Sequence, residues 1–344
     1  MSLVSEPLIH LEQLSQMNKA AGDPLRLGVL QLLRQGAFGV LELCQIFEVK
    51  QSGMSHHLKV LAQAGLVSTQ REGNSIFYRR PLLAADDELN SWLKALFQTI
   101  DEAELGYNQV AVEQVMKERA QACADFFARH AHEFKEQQDL IASYEQYGVA
   151  LTKLLQSLKD ANQISGNGKA LEIGPGEGAF LPELAKVFNA VQAIDISPDM
   201  LAKSQTLIKK EGLTNVCCSL GDTSALLNQQ AQQYEFVVAN MVLHHVPSPR
   251  NIFIDVGQLL QAGGTFLVTD LVRHEQSWAK DNCGDLWLGF EPEDLTNWAK
   301  DAGLTEGQSQ FLGLRNGFQI QFRIFNKARR WALGAERSQL CAKL

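Results

Sequence analysis

The 344-residue chain has no CxxC pair, no run of about 18 apolar residues, no internal repeat and no low-complexity segment. Each absence excludes something. Without a long apolar run, no segment reads as a membrane-spanning helix. The six cysteines, at 44, 123, 217, 218, 283 and 341, are too scattered for a disulfide framework. Cys217 and Cys218 are adjacent, so in a strand they point to opposite faces and do not share a metal. The opening MSLVSEPLIHLEQLSQ lacks the basic region and apolar stretch of a secretory signal, which gives the expectation of a cytoplasmic protein. Between residues 86 and 135 there is no proline and one glycine, Gly106, which argues against a floppy linker there.

What is present fits a globular protein of two domains: 45% hydrophobic and 20% charged residues. The net charge of −8 is unevenly spread. Residues 24–80 hold seven Lys and Arg against three Asp and Glu, while residues 81–344 hold 23 against 33. A basic block on an otherwise acidic chain fits a nucleic-acid module joined to something else, and equally two differently solvated surfaces.

The first 80 residues read as short helices followed by a hairpin. PLIHLEQLSQMNKAAG has helical spacing. DPLRLGVLQLLRQG starts with Asp23 as N-cap and Pro24 at the first helical position, and stops at Gly36. GVLELCQIFEV and QSGMSHHLKVLAQAG follow, and LVSTQREGNSIFYRR alternates about a Gly73-Asn74 turn. This is the arrangement of a winged helix-turn-helix. On the fourth helix Met54, Leu58 and Leu61 face a core, leaving Gln51, Ser52, Ser55, His56 and Lys59 outward, where a major groove could receive them. Arg71, Arg79 and Arg80 fall on the predicted wing, placed to meet phosphates.

DPLRLGVLQLL, LELCQIF, QSGMSHHLKVLAQAGLV and REGNSIFYRR, in this order and spacing, resemble the ArsR-type family of winged-helix transcriptional regulators over about residues 18–80. The resemblance implies a homodimer that reads a two-fold symmetric double-stranded DNA operator, with Ser52, Ser55, His56, His57 and Lys59 in the recognition region. The family's metal-sensing patterns are not reproduced. Where arsenic-sensing members carry CxCxxC, this chain has Cys44, Ile46 and Val49; residues 81–105, where zinc-sensing members place a histidine, have none. His56 and His57 diverge by about 100° on a helix, and His130 and His132 do not share a face, so no metal site is expected.

Near residue 165 the pattern changes to strands alternating with helices: NGKALEIGPGEG, AVQAIDIS, NVCCSLGD, YEFVVANMVLHHV and GTFLVTDLV supply strands of a parallel, doubly wound sheet. LTEGQSQFLGLRNGFQIQFRIFN closes it with an antiparallel hairpin about Asn316-Gly317. Gly174, Gly176 and Gly178 form a turn that lets the backbone approach a ligand, and Asp195 ends the next strand, where a carboxylate holds ribose hydroxyls. These two features do not choose between NAD and S-adenosylmethionine. Three others favour S-adenosylmethionine: Glu172 before the turn, Gly221-Asp222 ending the third strand, and the terminal hairpin. LEIGPGEG, AIDISPDML, LGD and ANMVLHHVPSP together resemble the class I S-adenosylmethionine-dependent methyltransferases over about residues 140–326. The ligand set is then Glu172, Gly174, Gly176, Gly178, Asp195, Ile196, Met200, Gly221, Asp222 and Asn240, for S-adenosylmethionine or S-adenosylhomocysteine.

His244, His245, Asp270, His274 and Cys283 fall at or after strand ends, where ligands of open α/β sheets bind. His244, His245 and Asp270 are the catalytic candidates. The sequence presents no recognisable acid–base pair among the five, and HH reads more simply as hydrogen-bonded histidines of the core or rim. CGDLWLGFEPEDL reads as an acceptor pocket or the start of a helix with an acidic first turn.

The expected organisation is α/β: a winged helix-turn-helix over residues 1–82, a helical connector and dimerisation region over 83–138, and a Rossmann-like methyltransferase domain with a terminal antiparallel hairpin over 139–344. Two functions fit. One is a regulator whose methyltransferase-like domain binds an adenosyl ligand and modulates operator binding. The other is an active methyltransferase for a small-molecule acceptor, fused to its own regulator.

Overall fold

A computed structural model describes residues 11–82, 88–130 and 134–329. His132 and Cys341 lie outside the described residues. The chain divides into two compact units between Arg119 and Ala120.

The first unit contains α1 (Leu11–Ala21), α2 (Pro24–Leu32), β1 (Phe38–Gly39), α3 (Val40–Phe47), α4 (Gln51–Gln63), β2 (Ser68–Glu72), β3 (Ser75–Arg79), α5 (Glu88–Glu102) and the start of α6 (Gln109–His130). Asp23 caps α2 by accepting from the Arg26 N–H at 3.0 Å, with Pro24 at its first turn. β2 and β3 form the expected hairpin, and β1 adds a third strand beside β3. Two residues are too short to show an alternating pattern, so β1 is invisible in the sequence. Leu30, Phe38, Leu43, Met54, Leu58 and Leu61 are fully buried together.

Helices α5 and α6 read as connector, yet Leu93, Phe97, Ile100, Val112 and Val115 are buried in this same core. The buried Gln31 fixes them in place: its Nε2 donates to the Ile100 carbonyl and its Oε1 accepts from the Gly106 N–H, both at 2.8 Å. Arg119 adds a forked contact to Glu42 at 2.6–2.7 Å.

The second unit continues through α7 (Phe134–Ala142), α8 (Tyr144–Asp160), β4 (Lys169–Ile173), α9 (Leu181–Val187), β5 (Ala190–Asp195), α10 (Pro198–Glu211), β6 (Val216–Leu220), α11 (Thr223–Gln230) and β7 (Tyr234–Asn240). A 3₁₀ turn (Leu243–His245), α12 (Pro249–Leu259), β8 (Leu260–Leu271), α13 (Trp278–Cys283), α14 (Pro292–Asp301), β9 (Leu304–Gly313) and β10 (Gln319–Lys327) complete it.

Its seven-stranded sheet has the order β6-β5-β4-β7-β8-β10-β9. The first five strands are parallel; β10 runs antiparallel to β8 and β9, as the terminal hairpin predicts. Helices cover both faces, so central strands read as continuous apolar runs, seen in the unbroken burial of β7 from Tyr234 to Ala239. Strand order reverses between β4 and β7. The crevice outside their carboxyl ends is where an open α/β sheet takes a ligand.

Candidate functional site

At the end of β4 the backbone turns through Gly174, Gly176 and Gly178 with φ of +63°, +57° and +84°. These angles are left-handed, which side chains rarely tolerate. At Gly174 a Cβ would lie 2.4 Å from Val242 Cγ2, so glycine is needed for space as well. At Gly176 a Cβ would meet nothing within 4 Å, so the bare backbone there borders open space. Ser204 on α10 steadies the turn by donating to the Gly176 carbonyl at 2.8 Å.

Glu172 precedes the turn and is buried, and its Oε2 has no hydrogen-bond partner. Burial alone lifts its carboxyl to about 8. A buried orphan acceptor of this kind fits a cationic or N–H-bearing group of a ligand, which the α-ammonium of an adenosyl amino acid supplies.

Asp195 closes β5. Its Oδ1 accepts from the Ser197 N–H at 2.8 Å. Burial raises its carboxyl to about 6, against the lowering effect of backbone N–H bonds from Ser197, Gly176 and Ile196. Ile196 and Leu220, at the ends of adjacent strands, are exposed apolar side chains, 49% and 59% accessible, while Met200 is buried. Gly221 donates its N–H to the Asp195 carbonyl at 2.9 Å, bringing the ends of β5 and β6 together. Asp222 is partly committed: one carboxylate oxygen caps α11, accepting from the Ala225 N–H at 3.0 Å and the Ser224 hydroxyl at 2.7 Å. Asn240 ends β7 with a buried Oδ1 that has no hydrogen-bond partner. Tyr147 of α8, which carries no sequence signal beyond helical spacing, hydrogen-bonds the Asn240 side chain.

After β7 the structure corrects the expectation that no acid–base pair exists. His244 Nδ1 lies 2.7 Å from Asp270 Oδ1 with both side chains fully buried. Asp270 also accepts from the backbone N–H groups of Leu243 and Leu271. The Asp285 carboxylate, missed in the sequence reading, stands on the other side: its Oδ1 is 3.9 Å from His244 Nε2 and 3.6 Å from His245 Nδ1. Burial lowers the basicity of His244, but Asp270 and Asp285 outweigh it and raise its pKa to about 9. Burial, with His244 adjacent, holds His245 well below its ordinary value.

The CGDLWLGF segment that precedes the EPED helix start folds over the histidines. Leu286 and Trp287 donate backbone N–H bonds to the His244 carbonyl, and the Trp287 indole donates to Val246 O at 2.8 Å. The EPED stretch does begin a helix, α14, with Glu291 as its N-cap. Two other candidates serve packing. Cys283 is buried with its thiol pushed to about 12 by burial and Asp285. His274 stands edge-on to Phe318, its pKa lowered to about 4, first by burial and then by His244 and Arg273.

In the first unit, Gln51, Ser52, Ser55, His56 and Lys59 are exposed along one face of α4, and Arg71 is exposed on the wing. Three expectations change. His57 turns back toward the N-cap of α2, with Nδ1 3.8 Å from Asp23 Oδ1. Arg79 is half-buried against Gln70 Oε1 at 3.3 Å. Arg80 is consumed internally: it donates to the Leu30 carbonyl, forks onto Asp101 and lies 4.5 Å over the Phe97 ring. An arginine's place at the end of a strand does not reveal a carboxylate partner 21 residues on.

Comparison with known proteins places the two units separately. Residues 23–69 match the model for bacterial regulatory proteins of the arsR family, and residues 164–303 match a methyltransferase domain. The chain is 33% identical over 75 residues to the transcriptional repressor SdpR of Bacillus subtilis, covering 22% of this chain and 82% of that protein. It is 25% identical over 191 residues to a ubiquinone biosynthesis O-methyltransferase of Methylococcus capsulatus, covering 52% and 78%. Among solved structures, Burkholderia thailandensis 1,6-didemethyltoxoflavin-N1-methyltransferase, with 1,6-didemethyltoxoflavin and S-adenosylhomocysteine bound, aligns at a TM-score of 0.48 and 16% identity over 62% of this chain and 90% of that one.

Proposed function

The chain belongs to the arsR family of bacterial regulatory proteins and carries a methyltransferase domain in the same polypeptide, and on that premise we propose that it is a transcriptional regulator whose second domain binds S-adenosylmethionine or S-adenosylhomocysteine and modulates operator binding. The observation that carries the ligand half is the glycine turn beside Glu172, a buried carboxylate with an unused oxygen. Glu172 takes the amino-acid end, Asp195 the ribose hydroxyls, and the exposed Ile196 and Leu220 flank the adenine, with Met200 behind them and Asp222 at its edge. Gly174, Gly176, Gly178 and Gly221 supply close backbone approach, and Asn240 lies at the end of β7.

The regulatory half rests on α4. Its exposed Gln51, Ser52, Ser55, His56 and Lys59 suit the major groove of double-stranded DNA, and Arg71 suits a phosphate. A homodimer would bring two such helices to a two-fold symmetric operator. Regulation requires the ligand to bind two states of the protein unequally. A coupling of about 1–3 kcal/mol changes operator affinity roughly 5- to 150-fold.

A second reading, transfer of the methyl group to a small-molecule acceptor, is favoured by His244 and Asp270 as a buried imidazole–carboxylate pair beyond the β7 end. In that reading the protein's part is alignment of donor and acceptor.

Calorimetry on the full chain tests the ligand half. Both adenosyl compounds should bind, and Asp195→Ala should weaken both; no heat from either with folded protein would remove the assignment. Release of S-adenosylhomocysteine in the presence of a small-molecule cell extract, lost in Asp195→Ala, would establish the enzymatic reading.

A further inference from the structure

His244, His245 and Asp285 form a buried group whose donor atoms all lie within 4.8 Å of one another. We infer that this group is a binding site for a divalent transition metal, of which zinc is the best chemical match. The inference is independent of whether the domain binds an adenosyl ligand or transfers a methyl group.

The geometry runs from Asp270 outward. Its carboxylate at 2.7 Å holds the Nδ1–H of His244, and so leaves Nε2 as the ring's other functional atom. Nε2 is buried and has no hydrogen-bond partner. It faces Asp285 Oδ1 at 3.9 Å, too far for a hydrogen bond. The same oxygen is 3.6 Å from His245 Nδ1, whose long 3.4 Å contact to the Gly284 carbonyl would give way, with its proton, to an incoming ion. Two ligands each about 2.0–2.1 Å from a tetrahedral ion stand roughly 3.4 Å apart, so an ion would draw Asp285 Oδ1 toward each of these two nitrogens by a few tenths of an ångström, the three donor atoms lying within 4.8 Å of one another.

Sequence-adjacent histidines on an α-helix splay, as the 6.0 Å between the His56 and His57 rings illustrates. In the 3₁₀ turn after β7 the rings of His244 and His245 come to 4.1 Å, so a pair excluded as co-ligands on a helix converges here. The CGDLWLGF segment completes the set by carrying Asp285 over them, with Gly284 in the left-handed region at φ +73°.

Two imidazoles and a carboxylate suit zinc, and also iron or nickel, better than calcium or magnesium, which favour all-oxygen shells. Asp270 stands behind His244 in the role that outer carboxylates play in metal sites: it fixes the tautomer and raises ligand basicity. Three protein ligands leave a position for water or for an oxygen of a bound molecule, the pattern of catalytic rather than structural zinc.

The test uses full-length protein stripped by a chelator, with its fold checked by circular dichroism, and titrated with Co2+ as a visible probe. The expected result is one equivalent per chain, displaced by Zn2+, with the ligand-field absorption of a nitrogen–oxygen site. Asp285→Asn should weaken Co2+ more than tenfold. Asp270→Asn, which leaves all three ligands in place, should weaken it by about 10–100-fold. Glu211→Gln, at the exposed end of α10, should leave Co2+ uptake unchanged. X-ray absorption on zinc-loaded wild type needs no variant: it should show two imidazoles and oxygen and no sulfur. Failure of folded wild type to take up stoichiometric metal, uptake unchanged in Asp285→Asn, or a sulfur ligand would each overturn the site.

Discussion

Asp195, the carboxylate that ends β5, accepts a backbone N–H bond from Gly176, in the middle of the glycine turn that follows β4. Two strands' ends are thereby tied by the residue assigned to the ribose. Asn at 195 keeps an acceptor oxygen for Gly176 and Ser197 and loses the charge. Asp195→Asn should therefore fold like the wild type and bind adenosyl ligands about 10–100-fold more weakly, the worth of hydrogen bonds to an ionised group. Isothermal titration and a thermal melt check the two halves of that statement.

Glu172 gives a pH signature. Its carboxyl stands at about 8 in the folded protein, against about 4.5 ordinarily. Between those values the folded state holds a proton that the unfolded state has lost, so this residue's contribution to stability falls as pH rises through that window. At roughly 1.4 kcal/mol per unit, it is a several-kcal/mol effect at most. Glu172→Gln should flatten the stability–pH curve over this range and leave the protein more stable at the alkaline end, measured by urea titration at several pH values.

The same residue predicts proton release. Near neutral pH Glu172 is protonated in the free protein, and a ligand ammonium placed at it favours the ionised form. Calorimetry of S-adenosylhomocysteine binding in buffers of differing ionisation enthalpy should show a proton leaving on binding, and none leaving in Glu172→Gln.

Gly174→Ala places a methyl group 2.4 Å from Val242 Cγ2 at a backbone φ of +63°. The substitution should destabilise the second unit by about 1–3 kcal/mol and weaken ligand binding, since relief requires moving the turn or Val242 beside it. Gly212→Ala, at a similar φ with nothing within 4 Å of the added carbon, separates backbone strain from the clash: it should cost stability and leave ligand affinity intact.

Much of this was legible in residue patterns. The Gly73-Asn74 turn announced the hairpin, the α/β alternation announced the sheet, and LEIGPGEG with Asp195 announced the crevice. What stayed hidden depends on contacts between distant segments. An amphipathic α5 fits a connector and a docked core helix equally well, and Gln31 reaching Ile100 decides between them. His244, in the 3₁₀ turn after β7, and Asp270, on β8, are 26 residues apart, and Asp285 arrives on a loop whose course no periodicity describes. The fates of Arg80 and His57 were set by Asp101 and Asp23, each brought close only by packing.

The first unit holds two kinds of basic residue. Lys59 is exposed, whereas Arg80 is an internal tie. Lys59→Ala should lower DNA affinity across sequences and reduce the slope of log affinity against log salt by about 1. Arg80→Ala should instead lower the melting temperature of the first unit, by removing an ion pair and a carbonyl contact.

In the proposed function, an adenosyl ligand bound to the second unit changes the grip of the first on DNA. Its most direct test is the affinity of the full chain for a duplex recovered by the protein from a randomised pool, at one fixed salt concentration, with no ligand, with S-adenosylmethionine and with S-adenosylhomocysteine. The account predicts that at least one ligand shifts the affinity about fivefold or more, and that Asp195→Asn requires far more ligand for the same shift. Equal affinity in all three conditions, with ligand saturation verified, would contradict it.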